Sequence, residues 1–377
     1  MTERIQNFLA SRRHDGPCLV VDLDVVRENY NAFAKALPDT RVFYAVKANP
    51  EPKVLKLLAD LGSCFDTASV VEIKLALEAG ATADRISFGN TIKKERDIAT
   101  ARALGVDLYA VDCKEEVEKI ARVAPGARVF ARILCDGSGA EWPLSRKFGC
   151  VPEMAIDVLE HAHRLGLVAH GVSFHVGSQQ RDPAMWDGAL ASAAMIFHTL
   201  ADRGIQLAMV NLGGGFPTRY LKEIPGVESY GSAIFNALRK HFGNQLPETI
   251  IEPGRGMVGN AGIIRSEVVL ISKKSDAEDD ARWVYLDIGK FGGLAETMDE
   301  AIRYPIKTAR DGSAMVPCVL AGPTCDSADV LYEKDPYFLP VSLEIGDLVL
   351  IEATGAYTTT YSAVAFNGFP PLETIVI

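Results

Sequence analysis

The sequence predicts an α/β protein in two parts: a (β/α)8, TIM-like barrel over residues 24–258 and a mainly β C-terminal domain over residues 259–377. Three observations carry this. Short apolar runs alternate with amphipathic stretches of helical period from residue 42 to 255, the pattern of parallel strands joined by helices. After residue 258 the strand-like runs continue without long helices between them. A chain of 377 residues also exceeds what one hydrophobic core holds. Residues 1–23 are expected to pack with the β-domain.

In chain order the barrel strands are VFYAVKA, SCFDTAS, ISFGN, LYAVD, VFARIL, GVSFHVG, MVNLGGG and TIIEPGR. The stretches between them, such as KVLKLLADLG and EEVEKIARVA, place apolar residues on one helical face, and several end in Gly, a common helix stop. A step of roughly 20 residues per strand and helix implies parallel pairing, and eight such units close a barrel of ~250 residues. An open doubly wound sheet would carry a dinucleotide fingerprint after its first strand, and GGGFPT at 213–218 lacks the G-x-G-x-x-G spacing. Beyond the barrel, AGIIRSEVVLIS, ARWVYLDIG, AMVPCVLAG, DLVLIEATG and ETIVI read as strands.

Composition narrows the function classes. Thirty-nine Lys and Arg against 49 Asp and Glu give a net charge of −10, a field that repels phosphate backbones and anionic lipid. Neither nucleic acid nor membrane is an expected partner. No apolar run approaches a membrane span and MTERIQNFLASRRHD is no signal peptide, so a soluble, cytoplasmic protein is expected. Seven scattered cysteines without a C-x-x-C pair imply neither a disulfide framework nor a zinc knuckle. His161, His163, His170 and His175 fall close together but match no zinc spacing. No metal is expected.

Barrel enzymes gather their chemistry at the C-terminal ends of strands. The polar residues there are Lys47, Asp66, Asn90, Arg132, His175, Gly213–Gly215 and Glu252–Arg255. Lys47 ends an apolar run, where an ammonium is costly unless paired or used, and it suits condensation with an aldehyde. The glycines and Arg255 follow strands seven and eight, the usual phosphate site of a barrel. An amine for an aldehyde and a cradle for a phosphate point together to pyridoxal 5'-phosphate (PLP). Glu252 could then face the pyridine nitrogen and keep it protonated, His175 could lie on the ring, and Ser178 could reach the phosphate. Plainer readings exist: a solvated strand-end Lys47, a simple turn for the glycines, a salt bridge from Glu252 to Arg132 or Arg255, and a core histidine.

YAVKAN around Lys47, FHVGSQ around His175, GGGFP, EPGR, GPTCDSAD at 322–329, GAYT at 355–358 and FNGF at 366–369 occur in register almost end to end. With these motifs the chain resembles the fold-type III PLP-dependent decarboxylases of the eukaryotic-type ornithine decarboxylase family. The resemblance implies that Lys47 carries the cofactor, His175 stacks on its ring and Glu252 partners its pyridine nitrogen. It puts Ser178, Gly213, Gly214, Gly215, Gly254, Arg255 and Tyr357 at phosphate positions. Asp66, Glu72 and Arg132 match polar positions that support lysine and cofactor. Cys325 matches the residue that returns a proton to Cα, and Asp326 a carboxylate for the substrate's distal ammonium. The family supplies this Cys–Asp pair across a homodimer interface, which a single chain's pattern does not show. Read by itself, Cys325 sits in a Gly/Pro-rich turn beside a carboxylate, and a thiol of ordinary pKa ~8.5 is a workable proton donor.

The implied activity is decarboxylation of L-ornithine to putrescine in polyamine biosynthesis. Asp326 and Glu300, the latter in ETMDEAIRY, are the candidates for binding the far end of the substrate, and Glu300 stands where ornithine-specific relatives carry an aspartate, which leaves lysine open as a second substrate. Diaminopimelate and carboxynorspermidine decarboxylases share the fold. Diaminopimelate has a distal carboxylate, against which Asp326 and Glu300 argue, and Glu252 argues against a racemase, which wants a weaker electron sink. From another class, antizyme-inhibitor-like regulators keep the fold without the cofactor. Lys47, the phosphate loops and Cys325 favour the enzyme.

Overall fold

A computed structural model describes residues 1–11, 15–135, 137–142, 147–276 and 281–377. These separate into two compact units. One comprises Arg27–Pro217 and Ile224–Met257; the other comprises Met1–Val26, Thr218–Glu223 and Val258–Ile377.

The first unit is the expected barrel. Strands Thr40–Ala45, Cys64–Thr67, Ile86–Phe88, Leu108–Val111, Arg128–Arg132, Val168–Ser173, Met209–Asn211 and Glu248–Ile251 close on themselves. Every barrel pair is parallel, and the last strand joins the first through Ile251 opposite Val42. Parallel strands are covered on both faces, and Leu108–Val111 is accordingly buried along its whole length. Phe43, Cys64, Leu108, Ala110, Phe130, Met209 and Ile250 form a buried cluster contributed by six of the strands. Gly171 admits the carbonyl of Met209 where any side chain would overlap it.

Helices follow the strands as the periodicity requires. In Lys114–Val123, Val117 and Ile120 are buried while Glu115 and Glu118 face outward. Ser69 caps Val70–Glu78 by accepting the Glu72 N–H at 3.3 Å, and the Glu72 carboxylate reaches back to the Ala68 N–H at 2.6 Å. This variant of the capping box fixes Glu72 at the barrel mouth.

The second unit is an eight-stranded sheet. Its long strand Gly262–Ser272 pairs with Arg282–Leu286 on one half and with Leu348–Glu352 on the other, on either side of a register shift near Val268. Cys18–Val21 lies antiparallel to that strand and parallel to Glu373–Val376. Three elements go beyond the expected set, one of them the three-residue Ile306–Thr308, which pairs antiparallel with Leu348–Glu352. Cys18–Val21 is too short to stand out as a run, and Val330–Pro340 contains EKDP, which reads as a loop. Its partner Met315–Ala321 is in step at Cys318–Tyr337 and again at Leu320–Tyr332, so residues 333–336 bulge out of the ladder.

Candidate active site

Lys47 lies just past the end of its strand, in a 3-10 turn Val46–Ala48, and not in the strand itself. The strand end is tied to the eighth strand's loop, because the Ala45 N–H donates to the Pro253 carbonyl at 3.2 Å. Lys47 is thereby brought to the same mouth as Glu252 and Arg255.

Two carboxylates and an imidazole sense the Lys47 charge. Asp66 accepts the Ser87 hydroxyl at 3.1 Å and packs against Gly89, where a Cβ would overlap it. Burial, then the neighbouring Glu252 charge, raise the Asp66 carboxyl well above its ordinary range, and Lys47 only partly offsets them. Burial also raises Glu72, against the pull of the Ala68 N–H and Lys47. His175 moves the other way: burial first, then the charges of Arg132 and Lys47, hold its imidazole well below the usual range and keep it neutral. Its Nδ1 accepts the Gly177 N–H at 3.0 Å, so the proton of the neutral ring sits on Nε2. Glu252 is oriented by the Asn211 side-chain amide, which in turn accepts the Gly213 N–H at 2.9 Å. Arg132 ends the fifth strand with its guanidinium 5.3 Å from the Phe148 ring centroid.

The three glycines leave a space that no other residue would leave. A Cβ on Gly213 would overlap the Phe174 carbonyl, one on Gly215 the Gly177 carbonyl, and one on Gly214 would lie 2.6 Å from the Glu252 carbonyl and 3.3 Å from His175 Nε2. Gly213 and Gly215 also have φ of 67° and 99°, which glycine adopts without strain. Beside Gly254, the buried Arg255 donates to the Ser178 hydroxyl at 3.2 Å. Backbone N–H groups, a guanidinium and a hydroxyl form a donor set for a phosphate dianion, with an amine at the mouth for an aldehyde. The residues fit PLP.

The remaining expected residues lie in the β-sheet unit. Cys325 and Asp326 are exposed on the turn after Met315–Ala321. The Cys325 N–H donates to the Asn367 side chain at 2.9 Å, joining GPTCDSAD to FNGF, and Asp326 accepts the Ala328 N–H at 2.8 Å. Tyr357 has a φ of 58° and its ring centroid lies 6.1 Å from that of Tyr361. Glu300 is not brought beside Asp326 by these bonds. Its carboxylate accepts the backbone N–H groups of Glu333 at 2.8 Å, Lys334 at 2.6 Å and Asp335 at 3.2 Å, and meets Arg303 at 3.2 Å. It fills the bulge of Val330–Pro340.

Sequence reasoning missed Asn211 and Asp329. Asn211 stands two residues before the glycines, a spacing at which its side chain can accept their first N–H. Asp329 closes GPTCDSAD: buried, it accepts the Lys290 N–H at 2.8 Å and the Thr324 hydroxyl at 2.7 Å, and a Cβ on Gly289 or Gly322 would overlap it. Among the described residues, no group of three His, Cys, Asp or Glu side chains is arranged to hold a metal ion.

Residues 23–259 match the profile of the pyridoxal-dependent decarboxylase, pyridoxal binding domain family. The chain belongs to the pyridoxal-dependent decarboxylases. PLP is the cofactor of this family, as the cradle and Lys47 require. The lysine/ornithine decarboxylase of Selenomonas ruminantium is 37% identical over 368 residues, 97% of this chain and 91% of that one. Antizyme inhibitor 2 of Xenopus laevis is 35% identical over 382 residues, 98% of this chain and 82% of its own length. Among solved structures, SrLDC in complex with PLP and cadaverine superposes with a TM-score of 0.89 at 34% identity, covering 100% of this chain and 94% of that one.

Proposed function

We propose that this chain decarboxylates L-ornithine to putrescine for polyamine biosynthesis, with L-lysine as a second, slower substrate. The observation that carries the reading is the convergence of Lys47, Asp66, Glu252 and neutral His175 beside the glycine and Arg255 cradle. The similarity to a lysine/ornithine decarboxylase adds the substrate class.

PLP, when bound, supplies an electron sink for the pair released as the bond between Cα and the carboxylate breaks. The protein's part is to place and charge the groups around it. Gly213–Gly215, Gly254, Ser178, Arg255 and Tyr357 hold the phosphate. Lys47 holds the cofactor at rest and returns at product release. Glu252, aimed by Asn211, keeps a proton on the pyridine nitrogen. His175 stays neutral, so it can lie against the ring without competing with that charge. Asp66, Glu72 and Arg132 set the field at Lys47.

Cys325 returns a proton to Cα after carbon dioxide leaves, and Asp326 receives the distal ammonium. Glu300 shapes the far end of the pocket through the turn it pins. Both Cys325 and Asp326 reach the site from a second copy, so the working form is a homodimer. A cytoplasmic location completes the proposal; seven cysteines without a disulfide among the described residues suit a reducing compartment.

Incubating the purified chain with PLP and ornithine, lysine, arginine or diaminopimelate tests the reading through carbon dioxide release and amine analysis. Ornithine should give the highest kcat/KM. Preference for diaminopimelate would overturn the substrate class, and a chain that binds no PLP would favour an antizyme-inhibitor-like regulator.

A further inference from the structure

Past the C-terminal end of strand Ile86–Phe88 lies a buried charge that the chemistry above does not use. The Lys93 side chain has 0% of its surface exposed. Its ammonium donates to the Asn90 carbonyl at 2.7 Å and the Ala110 carbonyl at 2.6 Å, and meets the Glu116 carboxylate at 3.1 Å. Glu116 is itself buried and also pairs with the half-buried Lys119. Burial pulls the Lys93 ammonium down to about 8, against the opposing pull of Glu116, so it remains charged at neutral pH. A buried ion pair of this kind is weak grounds for stability. Its placement says more.

Lys93 sits where two barrel strands part company. The ladder between Ile86–Phe88 and Leu108–Val111 ends at Phe88 opposite Tyr109. Beyond it the chain leans toward the second strand: the Gly89 N–H donates to the Thr67 carbonyl at 2.9 Å, and the Asn90 amide reaches the Ala68 carbonyl at 3.5 Å. The Ala110 carbonyl, one residue past the last pair, receives Lys93 in place of a longer strand. The segment so pressed toward the second strand is the one against which Asp66 packs, and Ala68 is the residue whose N–H holds Glu72.

We infer that Lys93 is a positioning residue for the decarboxylase: it wedges Gly89 and Asn90 against the second barrel strand, fixing the Asp66 and Glu72 carboxylates that flank Lys47. The inference rests on the proposed cofactor site and goes beyond it, since Lys93 touches neither cofactor nor substrate.

The test is the double variant Lys93→Met/Glu116→Gln, compared with wild type and with Lys93→Met alone. Lys93→Met leaves the Glu116 charge buried opposite a thioether and should melt well below wild type. Neutralising both partners removes that cost, so the double variant should melt within about 5 °C of wild type. Its PLP dissociation constant, read from the visible absorbance of bound cofactor, should nonetheless rise about tenfold, with kcat reduced by a similar factor. KM for ornithine should change less than about twofold. A stable double variant with wild-type PLP affinity and kcat would reduce Lys93 to a structural ion pair and overturn the inference. If the double variant does not fold, Asn90→Ala removes the side-chain bond from the wedge to the Ala68 carbonyl, beside Glu72, while the Gly89–Thr67 bond and the ion pair remain. It should weaken PLP binding at least about threefold at an unchanged melting temperature, and unchanged binding would overturn the inference equally. A wild-type chain that bound no PLP would instead overturn the cofactor-site reading, and this inference with it.

Discussion

The Glu300 carboxylate accepts the backbone N–H of Lys334 at 2.6 Å. Together with the N–H groups of Glu333 and Asp335 and the Arg303 guanidinium, this makes Glu300 a clasp on a strand bulge. Burial works against the charged carboxylate, yet the three N–H groups and Arg303 outweigh it and hold the carboxyl below its ordinary range.

Removing the clasp should cost stability before selectivity. Glu300→Ala strands three N–H groups and a guanidinium and should destabilise the protein by about 2 kcal/mol, as charge-assisted bonds do. Because the folded value is depressed, this contribution is present above the unfolded carboxyl range and is lost as pH falls through the folded value. Glu300→Gln should therefore show a smaller acid-induced fall in melting temperature than wild type. In Glu300→Asp, kcat/KM for ornithine and lysine should decline together, their ratio moving less than about twofold. A larger change in ratio would put the carboxylate on the substrate.

Lys47 should carry the cofactor. Borohydride reduction of the PLP-loaded protein followed by peptide mapping should place the pyridoxyl group on Lys47, and a label on any other lysine would remove it from the site.

Glu252→Gln should retain PLP, since the glycine cradle and Arg255 are untouched, while kcat falls about 100-fold for want of a charged partner to the pyridine nitrogen. Turnover near that of wild type would show that another group protonates the ring.

Loss of Cys325 should divert product more than it slows carbon dioxide release. Cys325→Ala should yield an aldehyde and pyridoxamine phosphate alongside the amine, through protonation at the wrong carbon. Amine as sole product at an unchanged rate would exclude the thiol as donor.

The neutral His175 makes the cofactor-free protein acid-sensitive. Its folded value lies well below the unfolded ~6.5, so as pH falls below ~6.5 the unfolded chain gains a proton that the folded one refuses. Stability should drop by up to ~1.4 kcal/mol per pH unit across that window. His175→Gln should flatten the melting temperature between pH 7 and about 5; a slope equal to that of wild type would mean that the ring is protonated in the fold.

The barrel was legible because strands covered on both faces must be apolar throughout, and each of the eight announces itself as a run between helices. The chemistry at their ends was legible for a related reason: Lys47, His175 and Glu252 interrupt apolar surroundings. What stayed hidden has its cause in tertiary pairing. Cys18–Val21 is a strand because Gly262–Ser272 and Glu373–Val376 receive it, and nothing local says so. Glu300 looks like a pocket carboxylate in ETMDEAIRY, and only the register slip between Cys318 and Leu320 opens the backbone that captures it. Lys93 reads as one of two consecutive lysines in a polar turn until the end of the neighbouring ladder gives it carbonyls to hold.

The pairing of Cys18–Val21 also orders events in time. Its two partners lie more than two hundred residues downstream, so during synthesis this early segment must wait while every barrel strand is made. Contacts of such sequence separation form slowly, whereas each barrel strand meets a neighbour a few tens of residues away. The strand is therefore the last stitch of its sheet, and refolding from denaturant should show the barrel's fluorescence change well before the N-terminal amides gain protection from exchange.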